Sequence, residues 1–208
     1  MKALIGVTQR IEIRRVGETV EYCDSLDQEW TAFLAAAGCM PVPLPNDPAT
    51  AVALLLELPI DGLLLTGGED LEAYGGEASK RDETEQALLK LARDWRMPVI
   101  GVCRGMQMIQ DAFNVPLIQV SGHISSGEII NADAGVRVVN SYHRWGTRQT
   151  APDLEIWALT EDGVVKAVHH RHEPLVGVMW HPERQHPFAE ADLDLFRRTY
   201  ARRLEFAS

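Results

Sequence analysis

The segment Gly101-Val102-Cys103-Arg104-Gly105 spells Gly-x-nucleophile-x-Gly where an apolar run gives way to helical periodicity. A sharp strand-to-helix turn needs small residues flanking a nucleophile, because a side chain there collides with neighbouring backbone. At a helix N-terminus, free N–H groups and the positive end of the dipole favour a thiolate. The N–H of Arg104 can also face an oxyanion developing on a carbonyl attacked by Cys103. A cysteine taken alone is usually a small buried hydrophobe, and Cys23 and Cys39 are read that way.

A thiol nucleophile needs a base, and seven histidines compete for the role. His181 follows the apolar run Leu175 to Trp180, and Glu183 lies two residues on, pointing the same way in extended chain. Cys, His and Glu in that relation can form a triad in which the carboxylate orients the ring and supports its charge. His143 is the alternative base. His169, His170 and His172 lack partners at metal-ligand spacing and are read as exposed strand and turn residues, so no metal is expected.

Thr66-Gly67-Gly68-Glu69-Asp70 ends another apolar run. Its two glycines permit close backbone approach, and free N–H groups there suit the second half of an oxyanion hole, as they equally suit a plain turn. Asn140-Ser141-Tyr142-His143 carries more polar side chains than a turn requires and suits substrate recognition. Gln107, near the start of the helix after the elbow, is placed in the same substrate-binding set. Arg10, Arg14 and Arg15 form a basic run after the first strand, fit either to meet an anionic substrate or to sit in solvent.

The elements that must hold these residues alternate. Ala3 to Val7, Met40 to Leu44, Ile60 to Leu65 and Pro98 to Val102 are short, near-continuous apolar runs, as strands buried on both faces require. Helices are expected over Asp24 to Ala37, capped by Asp24 and stopped at Gly38, then over Pro48 to Glu57, Arg81 to Trp95 and Met106 to Phe113. This order predicts an α/β fold: an open, mostly parallel sheet with helices on both faces and its site at the carboxyl rim of the strands. Additional C-terminal strands are expected at Val136 to Asn140, Leu154 to Leu159, Val164 to His169 and Leu175 to Trp180, with a turn at Glu161-Asp162-Gly163 and a last helix over Glu190 to Glu205. The segment from Ser121 to Asn131 reads as a polar loop.

With 208 residues, 46% hydrophobic and 24% charged, the chain predicts one domain spanning residues 1–208. No apolar run approaches the length of a membrane span. The first ten residues read as a strand rather than a signal peptide, and three cysteines make no disulfide framework, so the expected location is cytoplasmic. Thirty acidic against 20 basic residues give a net charge of −10, which argues against a nucleic-acid polymer as partner. A small anion bound by one or two cleft arginines stays open, and so does homo-oligomerisation.

The four motifs at 66–70, 101–105, 140–143 and 181–183, in this order over nearly the whole chain, resemble class I glutamine amidotransferase domains, and among them the free-standing γ-glutamyl hydrolases of peptidase C26 type. The resemblance implies a flavodoxin-like sheet, a Cys103–His181–Glu183 triad, oxyanion N–H groups from Gly68 and Arg104, and cleavage of a small γ-glutamyl amide through a thioester, without a cofactor. The opening at Gly6 to Arg10, Lys80-Arg81-Asp82 and Met179 to Arg184 are similar to the branch acting on γ-glutamyl-CDP-amidate in capsule phosphoramidate synthesis. That likeness implies a cytidine diphosphoramidate leaving group, whose pyrophosphate Arg10, Arg14 and Arg15 are placed to meet unless they are solvated loop charges. The alternatives are γ-glutamyl-γ-aminobutyrate hydrolysis and a glutaminase subunit feeding ammonia to a separate synthetase.

Overall fold

The computed structural model describes residues 2–206. Strand β1 (Ala3–Thr8) leads into a hairpin of β2 (Arg10–Val16) and β3 (Thr19–Ser25). There follow α1 (Glu29–Ala36), β4 (Cys39–Leu44), α2 (Pro48–Glu57), β5 (Gly62–Leu65), α3 (Ser79–Asp94), β6 (Val99–Val102) and α4 (Arg104–Ala112). The second half is mainly strands: β7 (Ile118–Gln119), β8 (Ile124–Ala132), β9 (Gly135–Tyr142), β10 (Trp145–Gly146), β11 (Leu154–Leu159), β12 (Val165–His170) and β13 (Leu175–Val178), before α5 (Glu190–Phe206).

The main sheet has the order β4-β1-β5-β6-β13-β12-β11-β8-β9. Neighbours from β4 to β13 pair in parallel, and those from β13 to β9 are antiparallel. Alternation along β5 shows why its apolar run is continuous. Leu63 and Leu65 pack with Leu88 and Leu89 of α3 and Ile109 of α4, while Leu64 packs on the other face with Phe33 of α1 and Phe196 of α5. The fold is thus the expected α/β sheet with helices on both faces and extra C-terminal strands. Among the described residues, no helix is long and apolar enough to cross a membrane.

Helix α2 matches its predicted bounds, with Pro48 in the first turn and the Asp47 carboxylate accepting from the Thr50 amide at 2.9 Å. The turn at Glu161-Asp162-Gly163 joins the antiparallel pair β11 and β12 as expected. Three expectations need correction. Asp24 does not cap α1: it lies in β3, where its carboxylate accepts from the amide and side chain of Asn46 at 3.0 and 2.7 Å. The basic run is a strand, because the chain turns at Gly17 (φ 63°) and Arg10–Val16 pairs antiparallel with Thr19–Ser25. The stretch read as a polar loop contains most of β8, whose pairing with β9 supplies a hydrogen-bonding register that polar side chains do not reveal.

Candidate active site

Cys103 stands between β6 and α4 with φ 52° and ψ −104°, a conformation that costs a non-glycine residue about 1–3 kcal/mol. Its surroundings over-determine it. The Cys103 amide donates to the Val178 carbonyl at 2.8 Å, and the Gln107 amide donates to the Cys103 carbonyl at 3.0 Å. A Cβ at Gly101 would stand 2.5 Å from the Gly105 carbonyl oxygen, and one at Gly105 would collide with the Leu65 carbonyl of β5. The flanking glycines are therefore set by the approach of β5, β6 and α4.

His181 reaches the same rim from β13, which pairs in parallel with β6. Its Nδ1 lies 2.8 Å from Glu183 Oε1, and Cys103 stands close enough to the ring to act on its charge. Burial alone would lower the His181 pKa; the charges of Cys103 and Glu183 outweigh it and raise the value to about 9. Gly67 gives the ring its space, since a Cβ there would lie 2.5 Å from His181 Cε1.

Asn140 holds the backbone of His181 from both sides. Its Nδ2 donates to the His181 carbonyl and its Oδ1 accepts from the His181 amide, each at 2.7 Å. The side chain predicted to touch substrate is thus engaged in placing His181. Ser141 is buried likewise, donating to the His123 carbonyl at 2.9 Å and accepting from Lys166 at 3.0 Å.

Gly68, Cys103, Gln107, Tyr142 and His143 line one cleft of about 480 Å³. The Arg104 amide opens α4 beside Cys103, in the first turn, where N–H groups have no intrahelical acceptor. Its side chain turns inward instead, pairing with Asp82 and Glu85. Arg81, fully buried, completes this network. It donates to Glu85 at 3.0 Å, to Glu69 at 2.8 Å, and to the carbonyls of Thr66 and Gly67 at 2.8 and 3.1 Å. Burial would raise the Glu85 pKa, but Arg104 and Arg81 hold it below the ordinary value. The loop carrying Gly68 and the helix carrying Arg104 are therefore tied to one buried carboxylate.

His143 does not serve as the alternative base. Its Nδ1 donates to the Trp145 carbonyl at 2.9 Å, and its Nε2 accepts from Lys166 at 2.6 Å. Burial first and the Lys166 ammonium second press its pKa down to about 3. His123, Glu128 and His143 come close enough to share a metal ion, their ligand atoms lying within 4.8 Å of one another. The Lys166 ammonium already supplies a positive charge there, 2.5 Å from Glu128 Oε2. His170, expected to be exposed, is buried, and its Nδ1 accepts from the amides of His172 and Glu173 at 3.0 and 2.8 Å.

The arginines depart from expectation. Period-two alternation along β2 puts Ile11 and Ile13 into the cleft and Arg10, Glu12 and Arg14 on the opposite side. Arg10 borders a separate small crevice with Thr66, Gly67, Glu183 and Arg184. Arg14 is exposed and pairs with Glu12 at 3.1 Å, and Arg15 is exposed. The sequence reading missed Arg81, Glu85, Glu128 and Lys166. A signal was present for Lys166, a lone charge inside the apolar run Val164 to Val168, and for Arg81 and Glu85, spaced i, i+4 on a helix.

Comparison with known proteins agrees with this architecture. A Thermoplasma acidophilum protein provisionally described as one of the subunits of GMP synthase superposes with a TM-score of 0.75 over 100% of this chain and 96% of that one, at 16% identity, a likeness of fold. The γ-glutamyl-CDP-amidate hydrolase of Campylobacter jejuni is 31% identical over 128 residues, covering 61% of this chain and just under two thirds (64%) of its own length. The γ-glutamyl-γ-aminobutyrate hydrolase PuuD of Escherichia coli K12 is 26% identical over 201 residues, covering 76% of this chain and 78% of that protein. The Peptidase C26 family profile matches residues 3–134 and 119–183, so that it takes in the elbow, both loop motifs and the His181–Glu183 pair. The chain belongs to the Peptidase C26 family.

Proposed function

We propose that this protein hydrolyses γ-glutamyl amides through a γ-glutamyl thioester on Cys103 and releases glutamate. The observation that carries the reading is the strained Cys103, beside a His181 whose Nδ1 is held by Glu183, at the floor of an open cleft. The relatives named as hydrolases of γ-glutamyl compounds support the choice of substrate class. The Cys103 thiolate attacks the γ-carbonyl carbon, and the oxyanion that forms is held by the N–H groups of Gly68 and Arg104. Collapse breaks the C–N bond as His181 passes its proton to the leaving nitrogen. A water then gives its proton to His181 and attacks the thioester, releasing glutamate and restoring Cys103. Glu183 orients the ring throughout, Asn140 fixes the loop that carries it, and Gln107 and Tyr142 wall the acyl site.

The test is glutamate release from γ-glutamyl amides by wild type and Cys103→Ala. Loss of a nucleophile commonly costs several orders of magnitude, so activity should fall by at least about a thousandfold while the circular dichroism spectrum stays unchanged. A Cys103→Ala protein retaining a tenth of wild-type activity would falsify the assignment. Chelators should leave the rate unaltered. Within this class, resemblance makes the cytidine diphosphoramidate conjugate the first named substrate to assay and γ-glutamyl-γ-aminobutyrate the second. Both leaving groups are anionic.

A further inference from the structure

We infer that the leaving-group side of the cleft selects γ-glutamyl amides whose amine tail is apolar and ends in a positive charge, in preference to tails bearing phosphate or carboxylate; this rests on the γ-glutamyl reading above. Three observations carry it. The first is the wall. The β2–β3 hairpin places Ile11 and Ile13 along the cleft, and Ile124 at the start of β8 also lines it. Ile13 and Ile124 are 40% and 67% exposed, apolar surface that a tail lying between them would cover.

The second is the charge. Glu69, Asp70 and Glu77 line the cleft with Cys103, and Arg144 is the cation among the lining side chains. Arg144 is already paired with Asp70 at 3.0 Å, so it offers no uncompensated charge to an anion. Glu69 is held by Arg81 at 2.8 Å. Glu77 is exposed and makes no ion pair among the described residues. With Asp70 and Glu69 each paired, the charge left over in the cleft is that of Glu77, so a diphosphate placed here would meet a carboxylate and no free cation among the lining side chains, and juxtaposed like charges weigh against a partner. An ammonium at the end of an apolar tether meets the opposite balance.

The third is the direction of the strand. Arg10 and Arg14 alternate with Ile11 and Ile13 along the strand and are not among the side chains lining the cleft: Arg14 is exposed and paired with Glu12, and Arg10 packs behind Gly68 in the adjoining crevice with Gly67 and Glu183. A one-residue slip of β2 would exchange the two sets, but the full ladder from Arg10–Ser25 to Val16–Thr19 fixes the register.

The experiment compares kcat/KM for four conjugates: γ-glutamyl-1,4-diaminobutane, γ-glutamyl-n-butylamine, γ-glutamyl-γ-aminobutyrate and γ-glutamyl-CDP-amidate. The expected order is cationic, then neutral, then both anionic conjugates. The cationic-to-anionic ratio should be tenfold or more at low ionic strength and should narrow as salt screens the cleft. Glu77→Gln should cut that ratio about threefold to tenfold, as one charge acting through solvent at a few ångströms does. Ile13→Ser should lower the cationic and neutral conjugates together. Preference for either anionic conjugate, or a ratio indifferent to Glu77→Gln and to salt, overturns the inference and leaves the γ-glutamyl reading standing. Release of glutamate from none of the four by folded protein overturns both.

Discussion

Removing the sulfur of Cys103 is expected to collapse the pKa of a residue that the substitution does not otherwise touch. His181 is buried, and burial alone would carry its pKa below the ordinary 6.5; the value of about 9 exists because Cys103 and Glu183 place negative charge against the ring. The rise corresponds to about 3 kcal/mol of preference for the imidazolium, at about 1.4 kcal/mol per unit. In Cys103→Ala the largest favourable contribution goes while the burial remains, so the midpoint should fall by about two units or more. The assay is the pH titration of the His181 Cε1–H resonance by NMR, assigned by its loss in His181→Gln. Because the folded value lies above the unfolded one, this group's stabilisation is complete below about pH 6.5 and is lost as pH rises through about 9. Wild type should therefore lose stability over that window, and Cys103→Ala should lose less of it. A midpoint near 9 that stays in place in Cys103→Ala would refute the reasoning, since His181 would then owe its charge to something other than the thiolate.

Gly105→Ala should lower the melting temperature markedly or prevent folding, because its Cβ would collide with the Leu65 carbonyl, which belongs to the sheet and cannot swing aside; an unchanged melting temperature would count against the elbow packing. Asn140→Ala should leave the His181 amide without a partner and its carbonyl with the Arg184 amide alone, lowering stability by about 1–3 kcal/mol and reducing kcat more than it changes KM. A KM effect alone would return Asn140 to substrate binding. Lys166→Met should destabilise by about 1–3 kcal/mol in urea unfolding, since it takes the ammonium from the Glu128 carboxylate and leaves it His123 as its remaining partner. The same variant should raise the His143 pKa from its value of about 3 by removing a neighbouring positive charge, and an unmoved His143 titration would dissolve the proposed contact.

How far the sequence reached is clearest at Cys103. The spelling Gly-x-Cys-x-Gly between a strand and a helix is a local statement, because the glycines are demanded by backbone packed within a few residues and by the next strand. The elbow, α2 with its Pro48 and Asp47 signals, and the buried parallel strands were accordingly legible. His181 and Glu183 were legible for the same reason, being two residues apart at the end of one apolar run.

The rest depended on partners far away in the chain. Asn140 carries a side chain suited to substrate, yet its amide meets a backbone 41 residues away. Arg104 looked like an N–H donor alone, and only the packing of α3 against α4 supplied Asp82 and Glu85 for its guanidinium. Arg10 was placed near the site by its position after β1, but which way it points was decided by the hairpin, where a step of one residue exchanges the two faces. Local spacing fixes which residue sits at a turn or on a stripe, because those geometries repeat over two to four residues. Which charge meets which, and which face of a strand looks into the cleft, follows from pairing across tens of residues, and that is determined only when the sheet closes around the site.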